Sequence, residues 1–262
     1  MQKRHSDRLS YFEDSACTAR EFYLPYTAQF HKIDAGGIRI LEVGCGEGGN
    51  LLPFAEQGCE VSGIDLSPTR VAQATAFFGQ HGQNAQFVHA DFFEQEVPPA
   101  DKRYDILLIH DVIEHIGRKT DFIRHAHDFL APDGIIFWGF PAWQIPFGGH
   151  QQICQSRLCS HLPFIHLLPE PIYDKLLQHC GEKQDLRKEL LEIRRTRMTI
   201  EHFENLLNVC GGTIVDRTLW LINPHYKRKF NLRPRKLPQA VSRISYLRNF
   251  FATACFYITR KT

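Results

Sequence analysis

Apolar positions along this chain switch between two periods. Ile38-Arg39-Ile40-Leu41-Glu42-Val43 and Cys59-Glu60-Val61-Ser62-Gly63-Ile64-Asp65 are short runs of strand length. Helical spacing follows each run. Leu51, Leu52, Phe54 and Ala55 come after the first, with Gly58 as terminator, and Ser67-Pro68 opens Val71, Ala72, Ala74 and Ala76 after the second. Ala85 to Asp91 predicts a third strand. Arg103 to His110 predicts a fourth, whose nearly continuous aliphatic run suits burial on both faces of a parallel sheet. Thr120 is expected to cap a helix carrying Phe122, Ile123, Ala126, Phe129 and Leu130, and the turn Ala131-Pro132-Asp133-Gly134 hands over to a fifth strand, Ile135 to Phe140. Strand and helix in alternation predict an α/β fold with right-handed crossovers.

From Pro141 to about Met198 the regularity breaks. Five prolines punctuate short apolar pieces, and Asp185 to Arg197 is a charged helix with a solvated face. Alternation resumes with Thr199 capping Ile200 to Val209, a strand from Thr213 to Ile222, a basic loop, and a last strand from Ala252 to Arg260. Ahead of the first strand, Phe22, Tyr26 and Phe30 share one helical face, with Pro25 limiting where that helix starts. Four parts are expected: an N-terminal helical segment over 1–37, a ligand-binding core over 38–140, an insertion over 141–198, and the end of the core over 199–262.

Chemistry enters at the end of the first strand. In Glu42-Val43-Gly44-Cys45-Gly46-Glu47-Gly48-Gly49 the glycines let a tight turn bring bare peptide N–H groups against a ligand. Two ligands fit the spacing. Gly44-x-Gly46-x-x-Gly49 with Asp65 further on matches a dinucleotide fingerprint. Carboxylates at Glu42 and Glu47 sit badly beside a pyrophosphate, however, and suit a ligand bearing a sulfonium and an ammonium.

The string Glu42 to Gly48, with the acids Asp65 and Asp91 ending the next two strands, resembles the first motifs of class I S-adenosylmethionine (SAM) methyltransferases. His110-Asp111-Val112-Ile113-Glu114-His115 resembles the fourth motif of their small-molecule branch, including the ubiquinone-pathway O-methyltransferases. The resemblance covers roughly 35–140 and 199–262 and leaves the insertion uncovered. It implies a Rossmann-like, seven-stranded, mostly parallel sheet with an antiparallel last strand and helices on both faces. The cofactor would be S-adenosyl-L-methionine, released as S-adenosyl-L-homocysteine. Its implied binding set is Glu42, Gly44, Cys45, Gly46, Gly48, Asp65, Leu66, Asp91, Phe92 and His110, with Asp65 on the ribose and Leu66, Asp91 and Phe92 around the adenine. The N-terminal helix is expected either to close over the cofactor or simply to pack on the core.

The implied reaction moves a methyl group to a small-molecule or lipid-like acceptor, most plausibly at oxygen. Such a displacement needs alignment and a deprotonated acceptor. Imidazole suits the proton transfer, so His150, in a glycine-preceded turn of the insertion, and His115 are the candidate bases. No obligatory metal is expected, although Asp111, Glu114 and His115 could supply oxygen and nitrogen ligands to a divalent ion. The insertion's Leu158, Leu162, Phe164, Ile165, Leu167 and Leu168 are expected to line an acceptor pocket or to form the core of a cap. An NAD(P)-dependent oxidoreductase and a non-catalytic SAM-binding scaffold are the rival readings.

Composition narrows partners and setting. A formal charge of +2 over 262 residues gives no global pull towards nucleic acid, and no aromatic-plus-basic module suggests one. The segment 226–248 carries cations and no acid, which makes peripheral contact with anionic lipid a possibility to test. No apolar run reaches the eighteen or so residues of a membrane span. Eight cysteines without a C-x-x-C pair read as free thiols, and the chain reads as cytoplasmic.

Overall fold

A computed structural model describes residues 7–33 and 36–262. The strands are β1 (Arg39–Val43), β2 (Glu60–Asp65), β3 (Gln86–His89), β4 (Tyr104–His110), β5 (Leu130–Phe140), β6 (Gly212–Ile222), β7 (Arg235–Lys236) and β8 (Ala254–Lys261). They form one sheet in the order β3-β2-β1-β4-β5-β8-β6-β7. β1 to β5 run parallel, and β8 inserts antiparallel between β5 and β6.

The helices are α1 (Arg8–Thr18), α2 (Leu24–Thr27), α3 (Leu52–Glu56), α4 (Pro68–Gln80), α5 (Lys119–Asp128), α6 (Arg157–His161), α7 (Glu170–His179), α8 (Gln184–Thr196), α9 (Ile200–Val209), α10 (Tyr226–Phe230) and α11 (Gln239–Ser242). Strand alternation splits the core in two. Leu107, Ile109, Ile136 and Trp138 face α5 and α9 on one side. Ile106, Leu108, Ile135 and Phe137 face α1, α3 and Phe78 of α4 on the other. Each such side chain taken out of water stabilises the fold by about 1.5–3 kcal/mol, which is why β4 reads as an unbroken aliphatic run.

The seven expected strands are present, and the two-residue edge strand β7 adds an eighth inside the segment expected to be a loop. β5 begins at Leu130, because the expected turn at 131–134 is a bulge within the strand: the register jumps from Tyr104↔Leu130 to Ile106↔Ile135. Thr120 does not cap α5. The helix already starts at Lys119, with Phe122 N–H bonded to the Arg118 carbonyl at 3.0 Å. Ser67 and Thr199 do cap, accepting from Arg70 N–H and His202 N–H. Pro25 sits in the first turn of α2, where no donor is lost, and a π-turn over Ala19–Tyr23 joins it to α1. The insertion builds a small core of its own around Cys159, Tyr173, Leu177 and Leu190. Ile165 joins that core, whereas Leu158, Leu162 and Phe164 point outward.

Candidate active site

The register Val43↔Ile64 and Val43↔Ile109 brings the carboxyl ends of β1, β2 and β4 level. Gly44 N–H and Cys45 N–H both donate to the Ile64 carbonyl, at 2.8 and 3.1 Å, and turn the chain out of β1. Gly44 has φ +72°, and a Cβ there would lie 2.4 Å from Cγ2 of Val112. At Gly46, φ +53°, a Cβ would project into open space. Asp65, at the tip of β2, locks the turn: one carboxylate oxygen accepts from Gly46 N–H and the other from Ser67 N–H, each at 2.8 Å. A carboxylate offers about four acceptor positions, so both oxygens keep a free lone pair.

Glu42 lies beneath the turn and is 1 % exposed. Asn50 Nδ2 donates to its Oε1 at 2.7 Å, while Oε2 is buried without a partner among the described residues. Burial pushes its carboxyl up to about 8, against the opposing pull of Asn50. Glu47 is also buried, but it turns to Arg8 at 3.0 Å and Arg70 at 3.9 Å. It is therefore a neutralised pair rather than a bare carboxylate facing the cleft. Cys45 contributes backbone only, since its sulfur packs over Gly63, where a Cβ would come within 2.7 Å.

The turn floors a cleft of about 160 Å³ lined by Gly44, Cys45, Gly46, Glu47, Asn50, His110 and Asp111, while the Asp65 and Glu42 side chains are buried outside that lining. Arg8, Tyr11, Phe12 and Ser15 of α1 cover it, and Arg70 closes one side. The close approach of α1 depends on Gly49, where a Cβ would meet the Phe12 carbonyl oxygen at 2.4 Å. His110 is fixed by Tyr23 Oη at 2.9 Å and lies 3.3 Å from an Asp111 oxygen.

Other expected binding residues lie outside this lining. Leu66 is 70 % exposed at the rim. Asp91 accepts from Phe93 N–H and caps a short turn, while the Phe92 ring packs inward on Phe122, His125 and Phe129. Gly48 leaves room beneath the turn for Phe87. Sequence reasoning missed Arg8, Tyr11, Ser15, Asn50 and Arg70. The legible signal was the buried stripe Phe12, Ala16, Ala19 and Tyr23, which has helical spacing and places α1 against the core.

His115 and His150 come together from different segments, with ring centroids 5.1 Å apart. Both lie beyond the cleft lining, on the Asp111 side, and the Asp111 charge acts on both imidazoles. Burial is the main cause that lowers both, His115 to about 4, so each ring is neutral at pH 7. His150 sits at φ +57° in a turn that needs its glycines: a Cβ at Gly148 would meet the Trp143 carbonyl oxygen at 2.1 Å, and one at Gly149 would meet His166 Cβ at 2.2 Å. Glu114 is buried next to His115 with neither carboxyl oxygen hydrogen-bonded among the described residues, and burial holds it well above the carboxylate range. No set of three His, Cys, Asp or Glu side chains among the described residues is arranged to hold a metal ion.

Residues 15–142 match a family model described as "Methyltransferase domain". A ubiquinone biosynthesis O-methyltransferase from Rickettsia conorii is 32 % identical over 114 residues, 43 % of this chain and 38 % of that protein. One from a Methylobacterium species is 30 % identical over 135 residues, 50 % and 49 % of the two chains. The chain thus spans less than half the length of these curated relatives. A putative sarcosine dimethylglycine methyltransferase from Galdieria sulphuraria superposes with TM-score 0.59 at 15 % identity, over 93 % of this chain and 85 % of that one. Magnesium protoporphyrin IX methyltransferase from Synechocystis PCC 6803, solved with bound S-adenosylhomocysteine, gives 0.55 at 13 % identity over 93 % and 81 %.

Proposed function

From the match of residues 15–142 to the methyltransferase-domain model and the class I SAM methyltransferase fold of the chain, we propose that the protein methylates a small-molecule or lipid-like acceptor at oxygen, using S-adenosyl-L-methionine. One observation carries the reading. The Asp65 carboxylate grips the Gly46 amide across the turn, so an acid with spare lone pairs and an open glycine meet at one place, and Glu42, with its orphaned Oε2, lies close enough for the Asp65 charge to act on it.

That donor and acceptor set fits the cofactor. Asp65 would accept from the ribose hydroxyls, Leu66 and Asp91 would border the adenine, and Phe92 would support that border from behind. The open side of Gly46 admits the chain of the methionine moiety. Glu42 would face its ammonium, and Arg8 and Arg70 its carboxylate. His110, held by Tyr23 and beside Asp111, would face the same moiety. When bound, the cofactor supplies a methyl group on a positively charged sulfur.

The chain's own residues align the acceptor and take its proton. His150 or His115, neutral at pH 7, receives the acceptor's hydroxyl proton on a ring nitrogen. The helices over residues 8–27 exclude water from above as a lid, and the insertion over 141–198 bounds the acceptor side. Eight unpaired cysteines favour a reducing, cytoplasmic setting. Peripheral contact of 226–248 with a membrane belongs to the same reading of a lipid-like acceptor.

Isothermal titration tests the cofactor. Micromolar binding of S-adenosylhomocysteine with none of NAD or NADP is the expected result, and the reverse result overturns it. Transfer of tritiated methyl from the cofactor to a phenol in a lipid extract tests the acceptor class; label only in the aqueous fraction would count against a lipid-like acceptor.

A further inference from the structure

β6 ends and β8 begins at the sheet edge that carries the cleft, because β6 runs parallel to β5 and Trp220 pairs with Ala254. The excursion between them, residues 223–253, therefore sits beside the proposed active site. Its first helix shares that edge: Thr18 of α1 is hydrogen-bonded to His225, and burial together with the charge of Asp111 raises the Tyr226 hydroxyl.

Position by position, the excursion sorts its side chains into two groups. Among its cations, Lys227 pairs with Glu21 at 2.6 Å, Arg228 pairs with Asp14 at 3.1 Å, and Arg248 is buried against Glu201 and Glu204. Arg233, Arg235, Lys236 and Arg243 are exposed, and from 217 to the last residue there is no acid to offset them. Interleaved with them are the exposed apolar side chains Phe230, Ile244, Tyr246, Leu247, Phe250 and Phe251, led by Tyr246 at 69 %.

This tip is not a slack loop. Glu201, at the start of α9, accepts from Tyr246 N–H, Arg248 Nε and Asn249 Nδ2 at 2.6 to 2.9 Å, and the side-chain Oδ1 of Asn249 accepts from Ile200 N–H at 2.8 Å. Tyr246 is held at φ +63°, a conformation that bulky residues avoid unless their surroundings impose it. A buried polar anchor thus fixes the backbone while the large apolar side chains stay in water. Rigid apolar tips between uncompensated cations are complementary to a surface that is negatively charged outside and apolar a few ångströms in.

We propose that residues 230–251 seat the protein on a bilayer bearing anionic headgroups, with the cations on the headgroups and Tyr246, Leu247, Phe250 and Phe251 in the acyl boundary. Docked this way, the sheet edge with the cleft stands next to the membrane. This extends the reading of a lipid-like acceptor, but its test involves no methyl transfer.

The full chain is sedimented with phosphatidylcholine vesicles and with vesicles of phosphatidylcholine and phosphatidylglycerol in a 7:3 ratio. Binding to the anionic vesicles at least tenfold tighter than to the neutral ones, and weakening as salt rises, is expected. Each cation near an anionic surface contributes about fivefold, so Arg233→Glu with Arg235→Glu should lose at least about 25-fold. Phe250→Ser with Phe251→Ser should lose a similar factor and leave the salt dependence in place. Unchanged S-adenosylhomocysteine affinity or an unchanged melting curve certifies that either variant is folded. Overturning results are no preference for anionic vesicles, binding that survives both double variants, or variants that change only the sedimentation coefficient, which would mark the surface as a contact between copies. If vesicles are bound while the cofactor is not, the methyltransferase reading fails and this one stands.

Discussion

Glu42 offers a test of the cofactor site that depends on a proton. Its carboxyl is raised from 4.5 to about 8 by burial, so at pH 7 roughly nine-tenths of the free protein carries that proton. A ligand ammonium against the orphaned Oε2 would favour the carboxylate. Ionising the group at pH 7 then costs about 1.4 kcal/mol, about tenfold in affinity. S-adenosylhomocysteine should accordingly bind about tenfold tighter for each unit of pH between roughly 6 and 8, then level off. Titration in buffers of different ionisation enthalpy should show close to one proton released per ligand at pH 7. Glu42→Gln keeps the shape and should abolish both the slope and the proton release. The free protein gives a second readout. The folded state holds this proton from 4.5 up to about 8 while the unfolded chain has lost it, so stability should fall with rising pH across that window, and Glu42→Gln should flatten the fall. Wild-type affinity independent of pH from 6 to 8 would refute the placement of a cationic group at Glu42.

Asp65→Ala would remove the two charge-assisted hydrogen bonds proposed to the ribose, about 1.5–3 kcal/mol each, and should cost at least about a hundredfold in S-adenosylhomocysteine affinity by calorimetry; a loss under threefold sinks the site. Gly49→Ala forces a Cβ onto the Phe12 carbonyl oxygen, so α1 must shift. A destabilisation of about 1–3 kcal/mol in denaturant melts, with cofactor affinity reduced at least tenfold, is expected, and an unchanged protein would show that α1 is no roof. Replacing the histidine proposed as base, by His115→Gln or His150→Gln, should lower kcat by about 10²–10⁴ in one of the two variants. Because burial already holds both rings neutral, the wild-type rate should show no inflection near pH 6.5, with any His115 limb near pH 4; a limb at 6.5 would point to a different base.

The strands and their parallel sheet were readable because burial on both faces leaves an aliphatic imprint, as in Ile106 to Ile109, and because acids stand where strands end, whereas the antiparallel last strand was implied only by the family resemblance. Gly44, Gly46 and Asp65 were legible for the same reason: each answers to a local backbone demand. Less legible was anything set by distant packing. Nothing in the spacing of Arg8 or Arg70 shows that both reach Glu47, since that pairing depends on where α1 crosses the turn. Phe92 follows an acid at a strand end, yet the approach of α5 decides that its ring faces Phe122 and Phe129. The insertion's exposed leucines show the same limit, because composition says that a residue is apolar and not which way it points.

The position of β8 between β5 and β6 has a consequence for assembly. During synthesis the edge of β5 stays unpaired until the insertion, α9, β6 and β7 have all been made, and before β8 emerges β6 has just the two-residue strand β7 beside it. Pairings this distant in sequence close slowly, and an open strand edge in the waiting nascent chain is a surface on which other chains can template. When β8 slides in, the Trp138 indole N–H finds Thr259 Oγ1 at 2.8 Å, a bond that only the finished sheet can make.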